Sequence, residues 1–279
     1  MAMVKSGFAQ LLVGVLFLSG SAIVPTVVKA QDSGAAIRLA VESSQRSAKS
    51  QARDVYRHPA ETLNFFGLRP NMTVVELWPG GGWFTEILAP ILADKGKLIV
   101  TNFDPNSPDK NTAAGAKRFN DKLTANPKVF SKVQVATIDP PSQLRLGPDG
   151  SADMVLTFRN IHNWVSAGYE AQIYKAAFNV LKSGGILGVE EHRAAASVTD
   201  GVKSADNGYM PEAYVIQKIE AAGFKLLSKS EINANPKDTK NYKGGVWTLP
   251  PTLTLGQEDR GKYLLIGESD RMTLKFVKP

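Results

Sequence analysis

The sequence contains no cysteine. That absence excludes disulfides, thiolate metal sites, a cysteine nucleophile and a cysteine-linked lipid anchor. Histidine is scarce, with three in 279 residues, so the position of each one carries weight. No Gly-x-Ser-x-Gly elbow stands at a strand-to-helix turn, and the glycine segment at 80–82 lacks the Gly-Lys-Ser/Thr ending of a phosphate loop. Serine hydrolysis and nucleoside triphosphate chemistry therefore lack their usual supports. The lysines are scattered and no basic run is interleaved with aromatics, so the formal charge of +7 reads as a solvated surface and nucleic acid is not an expected partner. A content of 43% hydrophobic and 21% charged residues excludes disorder and collagen-like chains and allows one sizeable core.

Long apolar runs are confined to the N-terminus. Lys5 precedes an apolar stretch over 8–18 that only Gln10 interrupts, Pro25 follows, and Val28-Lys29-Ala30 places small or modest residues where a signal peptidase reads. This pattern predicts a signal peptide over 1–30, cleaved before Gln31, and an exported, periplasmic protein. Retention of 7–28 as an anchor is the alternative, since that stretch approaches the roughly 20 residues of a bilayer span. No segment of the mature chain has the length and apolarity of a membrane span.

Residues 31–55 are polar and serine-rich, with Ile37, Leu39, Ala40 and Val41 at loose helical spacing, which predicts a weakly packed leader helix without chemistry. The main domain is expected over 56–279. Pro59 suits a first helical turn, and Gly67 ends that helix before Pro70. Apolar strands at 73–77, 97–101, 132–137, 154–158 and 186–189 then alternate with helices at 84–92, 113–123 and 169–181. Near-continuous apolar strands separated by helices predict an α/β fold whose parallel sheet is covered on both faces. A helix at 211–222 and strands at 225–229 and 272–277 complete the pattern. The polar stretch 232–269, with Pro236, Gly244-Gly245 and Pro250-Pro251, reads as an irregular insertion of the kind that forms lids, and Tyr242 and Trp247 in it are candidates for substrate selection.

The strongest local signal is Glu76-Leu77-Trp78-Pro79-Gly80-Gly81-Gly82-Trp83, a glycine-rich turn between a buried strand and a helix. Bare glycines let a ligand approach the backbone, and open α/β sheets bind ligands at this end of their strands. A second signal is the polar and aromatic run Phe158-Arg159-Asn160-Ile161-His162-Asn163-Trp164 after the fourth strand. A third is Glu190-Glu191-His192-Arg193 at the end of the fifth. His162 and His192 thus fall at the ends of adjacent strands, while His58 opens the helix before the first. As acid or base, His162 or Glu191 would move a proton near neutral pH. As a metal set, His162, His192, Glu191 and His58 offer imidazole and carboxylate, without a tight ligand spacing. Loop-capping histidines are the third possibility.

These segments resemble class I S-adenosylmethionine-dependent methyltransferases, and more closely exported bacterial methyltransferase-like proteins with a Trp-Pro-Gly-Gly-Gly-Trp loop. The resemblance spans about 59–279 and implies a Rossmann-like doubly wound sheet, mostly parallel, with an antiparallel C-terminal strand. It further implies S-adenosylmethionine as cofactor and methyl transfer to a small-molecule substrate. Glu76 matches the acid that ends the first strand, and Gly80 and Gly82 match the second and third glycines, whereas Trp78 replaces the first. The ribose-binding acid falls on Asn102, with Asp104 nearby as helper or as a turn residue before Pro105. Asp139 would meet the adenine amino group, or form the turn before Pro140. Arg159 and Asn160 would line the cofactor cleft, and His162, Glu191 and His192 would be the catalytic candidates. An exported ligand-binding protein on this fold, or a metal-dependent enzyme using the histidine and glutamate cluster, is the alternative.

Overall fold

The computed structural model describes residues 1–3 and 26–279, so the expected export segment lies outside the described residues over 4–25. Among the described residues there are seven strands: β1 (Thr73–Leu77), β2 (Lys97–Phe103), β3 (Gln134–Ile138), β4 (Ala152–Phe158), β5 (Leu181–His192), β6 (Lys225–Ser230) and β7 (Arg271–Val277). They form one sheet in the order β3-β2-β1-β4-β5-β7-β6. The β1/β2, β2/β3, β1/β4 and β4/β5 pairs are parallel, and β7 runs antiparallel to both β5 and β6. This is the Rossmann-like α/β architecture with an antiparallel C-terminal strand.

Alternation along each strand explains why both faces are covered. Val74, Val100, Met154 and Leu156 turn to one face, where they meet Leu63, Phe66, Ile87 and Leu88. Val75, Leu77 and Val155 turn to the other, against Trp164, Tyr174, Ile219 and Phe276. Pro59 sits in the first turn of the helix Pro59–Phe66, and Gly67 closes it at φ 82°, a left-handed conformation that costs glycine little.

Three features differ most from the sequence expectation. The N-terminal helix spans Thr26–Val41, through the expected cleavage point, and it is not weakly packed: Ile37 is fully buried and Ala40 nearly so, in the same cluster as Leu63 and Ile87. The expected turn before the fifth strand is already part of β5, which starts at Leu181 and pairs irregularly with β4 between Ala152 and Met154. The stretch 232–269 carries structure of its own, a 3₁₀ turn at Gly245–Thr248 and a helix at Arg260–Ile266. Val246 and Leu249 anchor it by burial, and the Val246 N–H donates to the Asn207 carbonyl at 2.9 Å. Gly245 permits this approach, because a Cβ there would lie 2.4 Å from the Asn207 oxygen.

Candidate functional site

The glycine turn leaves β1 at Leu77 and enters the helix Thr85–Leu92. Trp78, Gly80 and Gly82 have φ of 46°, 57° and 71°, so the tryptophan holds a left-handed conformation that normally favours glycine. Its N–H donates to Thr101 Oγ1 at 2.8 Å, and its ring packs against Phe103 and Trp164 at centroid distances of 5.8 and 5.1 Å. Asn160 Nδ2 donates to the carbonyl of Leu77 at 3.0 Å, tying the turn to the end of β4. A Cβ added to Gly80 or Gly81 would meet nothing within 4 Å, so the turn presents open backbone. Glu76 lies buried beneath it and accepts from Thr85 Oγ1 at 2.7 Å. Burial raises its carboxyl to about 7, against the hydrogen bond of Thr85 and the charges of Lys122 and Arg159.

Gly80 and Gly81 form one wall of a cavity of about 550 Å³ at the C-terminal ends of β1, β4 and β5. Trp78 and the segment Phe158–Asn160 continue that wall, with His162 and His192 beside them. Two further walls come from afar: Lys49, Ser50 and Arg53 from the leader with Arg57 just beyond it, and Trp247 with Pro250, Pro251 and Thr252 from the insertion. Trp83 holds the leader in place. Its Nε1 donates to the Ser50 carbonyl at 3.0 Å, and the guanidiniums of Arg46 and Arg57 lie 5.0 and 4.7 Å from its ring. The leader, expected to be weakly packed and without chemistry, thus lines the cavity through Lys49, Ser50 and Arg53.

His162 and His192 meet with ring centroids 5.4 Å apart, and Trp247 stands 5.9 Å from His162. Glu191 is wholly buried below them. Its Oε1 accepts from the His192 N–H at 2.7 Å and lies 3.0 Å from His162 Nδ1, while Oε2 accepts from the Ile161 N–H at 2.5 Å. A carboxylate that already accepts two backbone N–H groups acts as acceptor toward the imidazole as well, so Nδ1 of His162 donates. His192 Nδ1 pairs with Ser269 Oγ at 2.6 Å. Burial, then the charges of His162, Arg159, Arg271 and Arg57, holds His192 well below the usual histidine range, so this imidazole is neutral at neutral pH.

His162, Glu191 and His192 offer ligand atoms within 4.8 Å of one another. Each Glu191 oxygen also accepts a backbone N–H, and Arg159, Arg271 and Arg57 place positive charge near His192. His58 belongs elsewhere, with Nδ1 3.4 Å from Asn233 Oδ1.

The residues proposed for the nucleoside half of the cofactor stand apart from the cavity lining. Asn102 is buried with its amide nitrogen donating to the Ala116 carbonyl and Asn120 Oδ1, while its oxygen accepts from the Phe103 N–H and keeps a second lone pair. Asp104 and Asp139 are exposed and act in their own turns, accepting from the Asn106 N–H and Ser142 Oγ. Gly82 faces Phe119, and Tyr242 packs on Tyr263. Sequence reasoning missed Lys49, Ser50, Arg53, Arg57 and Glu268. The one signal available was Arg53 and Arg57, four apart at helical spacing, where the serine-rich leader ends.

No protein-family model matches the chain, and no curated protein matches it in sequence. Solved structures do share its fold. A SAM dependent methyltransferase from Aquifex aeolicus superposes with a TM-score of 0.53 at 14% identity, over 88% of this chain and 98% of that one. The (4+2)-cyclase SpnF gives 0.54 at 18% identity over 85% of each chain. An arsenic (III) S-adenosylmethionine methyltransferase from Chlamydomonas reinhardtii gives 0.51 at 14%, over 87% and 73%. The likeness is one of fold, and a fold that carries both methyl transfer and cyclisation leaves the reaction to be argued from the site.

Proposed function

We propose that the protein is an S-adenosylmethionine-dependent methyltransferase acting on a small molecule. One observation carries this reading: the open backbone of Gly80 and Gly81 and the His162–Glu191 pair face a single cavity at the carboxyl ends of the central strands. The cofactor fits at the glycine turn, where Gly80, Gly81 and Asn160 would hold it, and Trp78 would wall the position that a first glycine leaves bare. When bound, the cofactor supplies a methyl group on a positively charged sulfur.

The chain's own contribution is positioning and proton transfer. Glu191 orients His162, whose free Nε2 removes the proton from an acceptor hydroxyl or amine. Neutral His192 beside it adds no competing charge. Trp78 and Trp247 restrict water around the acceptor, and holding two reactants in line can supply roughly 7–11 kcal/mol.

Calorimetric titration with S-adenosylmethionine and S-adenosylhomocysteine tests the reading, alongside a Gly80→Trp variant that fills the cavity. Binding by the parent that the variant abolishes supports it. A folded parent that binds neither compound overturns it and leaves a ligand-binding protein on this fold. Export to the periplasm is part of the proposal, and fractionation with N-terminal sequencing checks both the location and the cleavage before Gln31.

A further inference from the structure

Four arginines converge behind and along the cavity with two carboxylates among them. Arg53 Nε donates to Glu268 Oε1 at 2.6 Å, and Arg57 Nε donates to Glu268 Oε2 at 3.0 Å. Arg271 Nη1 lies 3.2 Å from both Glu268 and Glu190, and Arg159 Nη1 reaches Glu190 at 2.6 Å. Glu191 is paired with His162 and two backbone N–H groups rather than with one of these arginines. These four arginines outnumber Glu190 and Glu268 by two charges, and Lys49 adds a further positive charge at the rim. Burial, then the charge of Arg159, pulls Arg57 down to about 8, with Glu268 opposing the shift. Arg53 supplies the second observation. Its Nη2 is buried, yet among the described residues it has no hydrogen-bond partner. A buried guanidinium N–H without an acceptor costs free energy until a ligand supplies one.

We infer that the cavity binds a small anion through Arg53 and Arg57, and that the methyl acceptor therefore carries a carboxylate or phosphate group besides its nucleophile. The second clause rests on the methyltransferase reading above. The planar guanidinium matches either oxyanion, and the aromatic faces of Trp78, Phe158 and Trp247 suit the body of the ligand. A cationic wall of this kind selects against neutral and positively charged acceptors.

The test is calorimetry with glutarate and with inorganic phosphate, glutaramide serving as the neutral control, each with and without saturating S-adenosylhomocysteine. Glutarate or phosphate is expected to bind where glutaramide does not, with an affinity that S-adenosylhomocysteine leaves unchanged. Arg53→Gln should weaken that anion by about tenfold, the effect of one lost charge-assisted bond, while Arg53→Lys recovers part of it. Lys49→Gln, at an exposed position, should weaken it by less and serves if Arg53→Gln fails to fold. Anion binding that S-adenosylhomocysteine competes away would overturn the inference, since the cluster would then serve the cofactor's own carboxylate. Equal binding of glutaramide, or no binding of either anion, overturns it as well. If S-adenosylhomocysteine does not bind and the anion does, the methyltransferase reading fails while the anion site stands.

Discussion

Glu191 Oε1 lies 3.0 Å from His162 Nδ1 and 2.7 Å from the backbone nitrogen of His192, so one buried carboxylate fixes the imidazole and the end of β5 together. The arrangement commits one nitrogen of His162 and frees the other. His162→Ala should lower turnover by roughly 10²–10⁴-fold, the usual contribution of a general base, while affinity for S-adenosylhomocysteine stays nearly unchanged. Glu191→Gln should lower turnover too and also reduce stability, because an amide NH₂ would face an N–H of Ile161 or His192. Turnover and calorimetry on both variants check this; a His162→Ala enzyme with parental turnover removes that residue from the mechanism.

Trp247 stands apart energetically from its neighbours. Val246 beside it is buried and anchors the 3₁₀ turn, whereas Trp247 is exposed and faces His162 across the cavity. Trp247→Ala should therefore change acceptor affinity and selectivity with less than about 0.5 kcal/mol lost from stability, as is usual for surface positions. KM against the unfolding midpoint separates the two. A large loss of stability would assign the tryptophan to packing.

The core of this fold can be read locally, and the cavity walls cannot. Val74-Val75-Glu76-Leu77 is an apolar strand between a turn and a glycine loop, and β1 has the bounds that pattern predicts. His162 and His192 follow adjacent parallel strands, and topology alone brings them together. The arginine wall has no such local signal, since Arg53 and Arg57 meet Glu268 across 215 and 211 residues. The leader's role was hidden for a similar reason: Ile37 and Ala40 are few, and their burial depends on Phe66 and Leu88 waiting for them. Asn102 sits where the resemblance puts a ribose ligand, but the helix Lys110–Ala125 supplies its partners first.

Acid and base should act on stability through different carboxyls. Glu76 is raised to about 7 by burial, so the folded state holds that proton more tightly than the unfolded chain does. Its contribution is complete below the ordinary glutamate value of 4.5 and is lost as pH rises through about 7. Glu268 has the opposite sign. Burial alone would raise it, but Arg57, Arg271 and Arg53 hold it at about 2, so its contribution is present above 4.5 and lost as pH falls toward 2. Glu76→Gln keeps a partner for Thr85 and should flatten the decline in stability between about pH 4.5 and 7. Urea midpoints across that range, for parent and variant, show whether the slope belongs to Glu76.

Gly188 joins the packing to the chemistry. It lies on β5 two residues before Glu190, and a Cβ there would come within 2.7 Å of Leu156 Cδ2 and 2.8 Å of Phe66 Cγ. Both neighbours are buried, so neither can move aside cheaply. Gly188→Ala should cost about 1–3 kcal/mol, the range for overpacking a filled core, and pairing it with Phe66→Leu should recover part of that cost. Because β5 carries Glu190, Glu191 and His192, a strand pushed away from Phe66 also moves the His162 support and the Arg159 partner. Turnover should therefore fall in the single variant and recover with stability in the double one. If stability recovers while turnover does not, the ring of Phe66 itself holds β5 in its catalytic position.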